Sequence, residues 1–554
     1  MTHARLVNGC LARLLVAGLC LAPVLAPAQD QDAVDRMAAA TQTLKAAQDL
    51  DQIAAALAQL RSVSTVPAAQ KAQADRQLSA SQEALAGGRG GEARRALAHA
   101  AAILTGEPWD ARAEYAAAIA IDPAALVIDP QSPVPAQVTQ RFPVAWSGAE
   151  AMSLRVGIAA TSGATAPRLL WSTQLPVRDL AGEPLAVDLD LRGLPGGRYA
   201  LQAELTERGQ HVRDWTVPLV VVEDLERDAA AAATRLDAVS GHEAVTAAAR
   251  YPFDLARAVN GWRRRIPAGF DFGAAIARSD ALLGALQRGE DPLTRATGEQ
   301  RRAYASEAGE ILPYRLYVPE RWDGRRALPL LVLLHADGDE ADAVFDGPQR
   351  DALLKLAGQY QYILVAPSGY RPQAAFGSAP ARVLARAGAR PGIAGASVGM
   401  LAERDVLDVV ERVAAEYGAD RRRVYLYGAG GGGNGAWSIG SRYGESFAAL
   451  ASCGIAPQVG EPGSLRSLPA LAVIGARDPD LRRQAVREAV QELRAQRLPV
   501  SRLEIGGQPS QDVCAAPSAR VFEFFGQHQR RVSAGAGSGG AAPTASGGAP
   551  QGRR

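Results

Sequence analysis

Histidine and cysteine are scarce in this chain, with six and four among 554 residues. His3 lies at the extreme N-terminus and His99, His211 and His242 lie in the N-terminal half, so only His335 and His528 remain for general-base chemistry further on. Cys10 and Cys20 fall in a leader-type segment, which leaves Cys453 and Cys514. Those two form one disulfide if the compartment is oxidising, or stand as a buried thiol and a loop thiol; their separation in space is not a sequence property. Charge of one sign is also lacking. A formal net charge of +2 gives no reason to expect nucleic acid as a partner. Beyond the leader there is no run of eighteen apolar residues, which excludes a further helical membrane span of the usual kind.

The leader itself has three parts. Arg5 and Arg13 precede and flank the apolar stretch Leu14 to Leu25, and Ala26, Pro27 and Ala28 supply a small-residue cleavage site. Residues 1–28 are expected to be removed on export to the periplasm or the medium. Cys20 follows the bulky Leu19 rather than a small residue, which argues for soluble export over lipid attachment.

The length calls for several domains. Residues 29–122 are alanine-rich, with Val34, Met37, Leu44, Leu50, Ile53, Leu57 and Leu60 at helical spacings. Gly91–Ala102 followed by Trp109–Ile119 suggests a helical hairpin, without the repeat that an array needs. Across 123–225 the period becomes two, as in Leu185, Val187, Leu189 and Leu191, which predicts a small β-sandwich; its close, Trp215 to Val222, resembles the last strand of an immunoglobulin-like domain. Residues 226–300 return to helix, with Arg263, Arg264 and Arg265 read as a solvated face. Residues 301–531 predict an α/β domain with a mostly parallel sheet, because buried runs begin at Leu330, Ile363, Val424 and Leu471. The tail 532–554 is Gly, Ala, Ser and Pro with almost no apolar bulk and is expected to be disordered.

Between Tyr425 and Trp437 the chain reads as strand, glycine-rich turn and helix, with Gly428, Ala429, Gly430, Gly431 and Gly432 at the turn. Together with Pro313–Pro319, Leu330–His335, Tyr362–Tyr370, Glu403–Val406 opening a helix, and Pro469–Gly475 leading to Asp478, this segment resembles the secreted α/β-hydrolase esterases that include polyhydroxybutyrate depolymerases, feruloyl esterases and related peptidases. The resemblance covers residues 310 to 530. It implies a nucleophilic serine inside a Gly-x-Ser-x-Gly elbow, an acid, a histidine after the last strand and an oxyanion loop.

Here Gly430 stands where the serine belongs. Asp478 matches the acid, with helix N-capping as an equal alternative. The histidine position offers only Gln508, Pro509 and Ser510. By the resemblance His335, Ala336, Ala429 and Gly431 flank the oxyanion site, yet the loop carries Asp337, Asp339 and Glu340, whose charge opposes a developing anion. Gly395–Gly399 satisfies the serine pattern at Ser397 but lacks a preceding buried strand, and Ser438 and Ser452 lie within a helix and a strand. A hard-cation site at His335, Asp337, Asp339, Glu340 and Asp342 fits no established loop, and a solvated acidic turn is preferred, so no metal or cofactor is expected. The expectation is an exported pseudo-esterase that binds an unidentified protein or small molecule. The alternative is an active carboxylic-ester hydrolase, an esterase or peptidase, with a relocated nucleophile.

Overall fold

The computed structural model describes Met37, residues 50–131, 133–144, 146, 148–161, 168–177, 180, 183–261, 264–267, 269–336, 340–378, 398–459 and 462–530. The leader, the tail, Ser397 and the acidic residues Asp337 and Asp339 lie outside them. The chain forms two compact units, one of residues 1–120 with 140–150 and one of 121–139 with 151–554.

The first unit is helical over Leu50–Val63, Ala68–Ala86, Gly90–Thr105 and Ala111–Ala118. Leu57, Leu60, Leu97 and Leu104 recur at helical spacings and are buried together, so packing rather than propensity holds these short helices. Gly106 ends the third helix at φ +76°, a left-handed cap that suits glycine. At Ile119 helix gives way to the strand Ile119–Pro123, where β-branched Ile119 and Ile121 are buried alternately and proline closes the run.

In the second unit, a five-stranded sheet contains Val127–Ile128, Met152–Ala160, Leu169–Pro176, Gly197–Glu207 and Gln210–Val221. Val134–Val138 pair antiparallel with Leu185–Leu189 in a smaller sheet. Alternation decides the faces: Val134, Ala136 and Val138 are buried while Pro135 and Gln137 are exposed. Helices Leu225–Asp237, Glu243–Asn260 and Phe272–Gln287 follow. The Asn260 side chain accepts from the Leu126 and Val127 amides at 2.9 Å and donates to the Val127 carbonyl at 2.8 Å, tying the second of these helices to the β region.

The C-terminal sheet has eight strands: β1 (Gly298–Ala305), β2 (Ile311–Val318), β3 (Leu330–Leu334), β4 (Ile363–Pro367), β5 (Val424–Ala429), β6 (Ala449–Cys453), β7 (Ala470–Gly475) and β8 (Val500–Ile505). They lie in the order β1-β2-β4-β3-β5-β6-β7-β8, with β1 and β2 antiparallel to their neighbours and the rest parallel. This is the α/β-hydrolase arrangement. Leu330 to Leu334 are all buried, as both-face coverage of a central parallel strand requires. Its helices are α1 (Ala341–Asp346), α2 (Arg350–Tyr360), α3 (Val398–Tyr417), α4 (Gly431–Tyr443), α5 (Asp480–Ala495), α6 (Ser510–Val513) and α7 (Ala519–Gly526). Among the described residues no helix is long and apolar enough to cross a membrane.

Candidate functional site

Ligands of open α/β sheets bind beyond the carboxyl ends of the strands, and there β5 runs into α4 through Gly430. Gly430 has φ +51° and ψ −121°, a conformation that a residue with a side chain enters only under strain. Its amide donates to the Cys453 carbonyl at 3.1 Å and its carbonyl accepts from the Asn434 amide at 3.2 Å. The flanking glycines are fixed by close approach. A Cβ on Gly428 would stand 2.0 Å from the Gly432 oxygen, and one on Gly432 would stand 2.2 Å from the Leu334 oxygen. The turn thus keeps an elbow's backbone and contacts while position 430 carries no nucleophile.

Asp478 follows β7 and is buried. Helix α5 is capped at Pro479 without a side-chain bond, so the capping alternative for Asp478 does not hold. Its carboxylate turns to Ser510: one oxygen accepts from the Ser510 amide at 2.6 Å and the other from the Ser510 hydroxyl at 2.5 Å. That hydroxyl accepts in turn from the Gly475 amide at 3.0 Å. A Cβ on Gly475 would meet Gln508, Pro509 and Ser510 backbone atoms at 2.5 Å, so only glycine lets the loop approach. Of Gln508, Pro509 and Ser510, the residues at the loop where the resemblance implies a histidine, it is the buried Ser510 side chain that satisfies Asp478.

His335 is engaged elsewhere. Its Nδ1 lies 3.0 Å from the Ala336 oxygen and its Nε2 3.2 Å from the Ser368 oxygen, so both ring nitrogens are directed at backbone carbonyls rather than at Asp478. The ring rests against Phe376 with centroids 4.8 Å apart. The Ser368 loop is held by Asp405, which accepts from the Gly369 amide and the Tyr304 hydroxyl, both at 2.6 Å. Burial raises the Asp405 carboxyl above its ordinary range against these bonds. Asp405 and Glu403 lie inside α3, which begins at Val398, rather than at its opening. His528 points Nδ1 at the Phe524 oxygen, 2.7 Å away. His99 stacks on Trp109, His211 stands 3.8 Å from Asp214, and His242 binds Asp291 at 2.8 Å. None of the described histidines serves Asp478.

The described serine alternatives are also occupied. The buried Ser452 hydroxyl accepts from Trp437 Nε1 at 2.8 Å, and Ser438 accepts from Arg442 at 3.0 Å. In the acidic loop, Asp342 pairs with Arg315 rather than with His335 or Glu340. Glu340 lies 3.9 Å from Arg264, whose side chain is only 6 % exposed, so Arg264 is a buried counterion and not part of a solvated face. Burial pushes the Glu340 carboxyl up while Arg264 pulls it down. Among the described residues no His, Cys, Asp and Glu cluster is arranged to hold a metal ion.

Cys453, at the end of β6, is bonded to Cys514, just after α6, with Cα atoms 5.4 Å apart. The two cysteines, which the sequence left either joined or independent, therefore brace the elbow side of the sheet against the Ser510 loop.

No family model matches the chain, and no curated protein matches it in sequence. Solved structures similar to it include a thermostable esterase at 14% identity and TM-score 0.32, covering 69% of this chain and 91% of that one. A ferulic acid esterase aligns at 14% identity and TM-score 0.33, covering 42% and 99%. LpqC, a poly(3-hydroxybutyrate) depolymerase from Bordetella parapertussis, aligns at 19% and TM-score 0.31, covering 44% and 96%. At such scores these likenesses carry no argument about activity. The fold assignment rests on the strand order and direction.

Proposed function

We propose that the chain is an exported, non-catalytic hydrolase-fold protein that acts by binding a small molecule or a protein partner. The observation that carries this reading is the Ser510 hydroxyl and amide on Asp478, together with a strand-to-helix turn whose apex is Gly430. A triad acts as a unit, and an acid whose partner is serine cannot orient a base. The elbow supplies no attacking oxygen. Export is supported by the leader-like residues 1–28 and by the Cys453–Cys514 bond, which suits an oxidising compartment.

The test is incubation of the purified chain with a fluorophosphonate probe and short-chain aryl esters, followed by peptide mass mapping. The expected result is no adduct and no turnover above buffer. An adduct at Ser397, with turnover abolished in Ser397→Ala, would instead establish an active esterase or peptidase with a relocated nucleophile.

A further inference from the structure

A cleft in the second unit lies away from the hydrolase elbow, where the ends of strands Gly197–Glu207 and Gln210–Val221 face helices Leu225–Asp237 and Phe272–Gln287. Its volume of about 810 Å³ falls within the range that holds small organic ligands. The half-buried Phe270 presents apolar surface to it, backed by Val222, Phe253, Phe272 and Leu283, which are themselves buried. Gly196, Gly197, Gly269 and Gly273 line it without side chains, which keeps its mouth open.

Six ionisable side chains line it: the carboxylates of Glu223, Asp228, Asp271 and Asp280 and the guanidiniums of Arg198 and Arg235. The guanidiniums are already engaged. Arg198 donates to the Pro267 and Phe270 carbonyls at 2.7 and 3.0 Å, and Arg235 pairs with Asp280 and donates to Gln287 at 3.3 Å. Asp271 caps its helix through one oxygen, accepting from the Ala274 amide at 2.9 Å. Glu223 accepts from the Gly196 amide at 2.9 Å through Oε1, and Asp228 pairs through Oδ1 at 3.1 Å with Arg227, which also pairs with Asp224 at 3.0 Å. Four lining carboxylates stand against Arg198 and Arg235, and Arg227 beside the rim is shared between Asp228 and Asp224, so the rim stays net negative beside the Phe270 surface.

We propose that this cleft binds a small amphipathic organic cation, its apolar body against Phe270 and its ammonium or guanidinium group at Glu223 and Asp228. The site is independent of whether the hydrolase elbow is silent, because it shares no residue with it. An anion of the same shape meets like charge at the rim and gains only the apolar contact, so charge sign is the discriminating property.

The experiment is calorimetric titration of the purified chain with 4-phenylbutylammonium, 4-phenylbutyrate and 4-phenylbutanol. The ammonium is expected to bind saturably and at least tenfold more tightly than the other two. Glu223→Gln keeps the acceptor for Gly196 and Asp228→Asn keeps the shape; together they should abolish that preference while leaving the thermal midpoint within a few degrees. Ala277→Trp, at an exposed lining position, should block all three probes. Absence of saturable ammonium binding, an equal or greater affinity for the carboxylate, or binding that persists in Ala277→Trp would each overturn the assignment. Fluorophosphonate reactivity reads the other site and is expected to be the same in every variant.

Discussion

Gly430 and its neighbours separate what a turn needs from what a nucleophile needs. Alanine at 430 must adopt φ +51°, which costs on the order of 1–3 kcal/mol, whereas alanine at 428 drives a Cβ to within 2.0 Å of backbone oxygen. Urea denaturation is expected to show Gly430→Ala as a moderate loss and Gly428→Ala as a much larger one. Equal effects would mean that the elbow glycines are not held by the contacts described. Serine alone at 430 is expected to remain unlabelled by a fluorophosphonate, because Asp478 is capped by Ser510. Gly430→Ser combined with Ser510→His should acquire labelling, since an imidazole at 510 would replace the hydroxyl that now occupies Asp478 and could take the proton of a serine at 430. The tight turn at Gly430 was legible from the glycine run. The Ser510 contact was not, because it joins residues 32 apart through a close approach that depends on Gly475 having no side chain.

Among the elements, the sheet was the most legible. The apolar runs beginning at Leu330, Ile363 and Val424 open β3, β4 and β5, since strands buried on both faces leave uninterrupted hydrophobic stretches. The edge strand β1 lacks that signal: Glu299, Arg301 and Arg302 interrupt it, and Arg302 is buried by pairing with Glu416 at 2.7 Å. The turn between helix Phe272–Gln287 and β1 is set by Asp291. Burial raises its pKa, but bonds from His242, the Thr294 amide and hydroxyl, and the Leu293 amide outweigh that and hold it at about 2 against an ordinary 3.8. A depressed carboxylate stabilises the fold fully above its unfolded value and loses that contribution as pH falls toward its folded value. Asp291→Asn is therefore expected to cost about 2 kcal/mol near neutrality and almost nothing near pH 2, read as a smaller loss of stability between about pH 4 and 2 in urea titrations. A parallel pair of pH profiles would show that the turn does not draw on the carboxylate's charge.

At the scale of the whole molecule, the Cys453–Cys514 bond links positions 61 apart and encloses β7, α5 and β8, the part of the chain that carries Asp478 and Ser510. Cross-linking removes loop entropy from the unfolded chain, which for a closure of this length amounts to about 4 kcal/mol in the chain-entropy treatment. Both cysteines are buried in the folded protein, so reductant reaches them through opening of the surrounding structure rather than at the surface. The double variant Cys453→Ser with Cys514→Ser is expected to keep the fold and lose several kcal/mol of stability in urea. Mild reductant should leave the native wild type oxidised while reducing it readily in denaturant. Rapid reduction under native conditions would mean that the β6 end and the Ser510 loop open together at low cost. In that case the serine-capped acid would sit in a mobile corner rather than in a fixed one, and restoring an imidazole at 510 would not by itself restore its orientation.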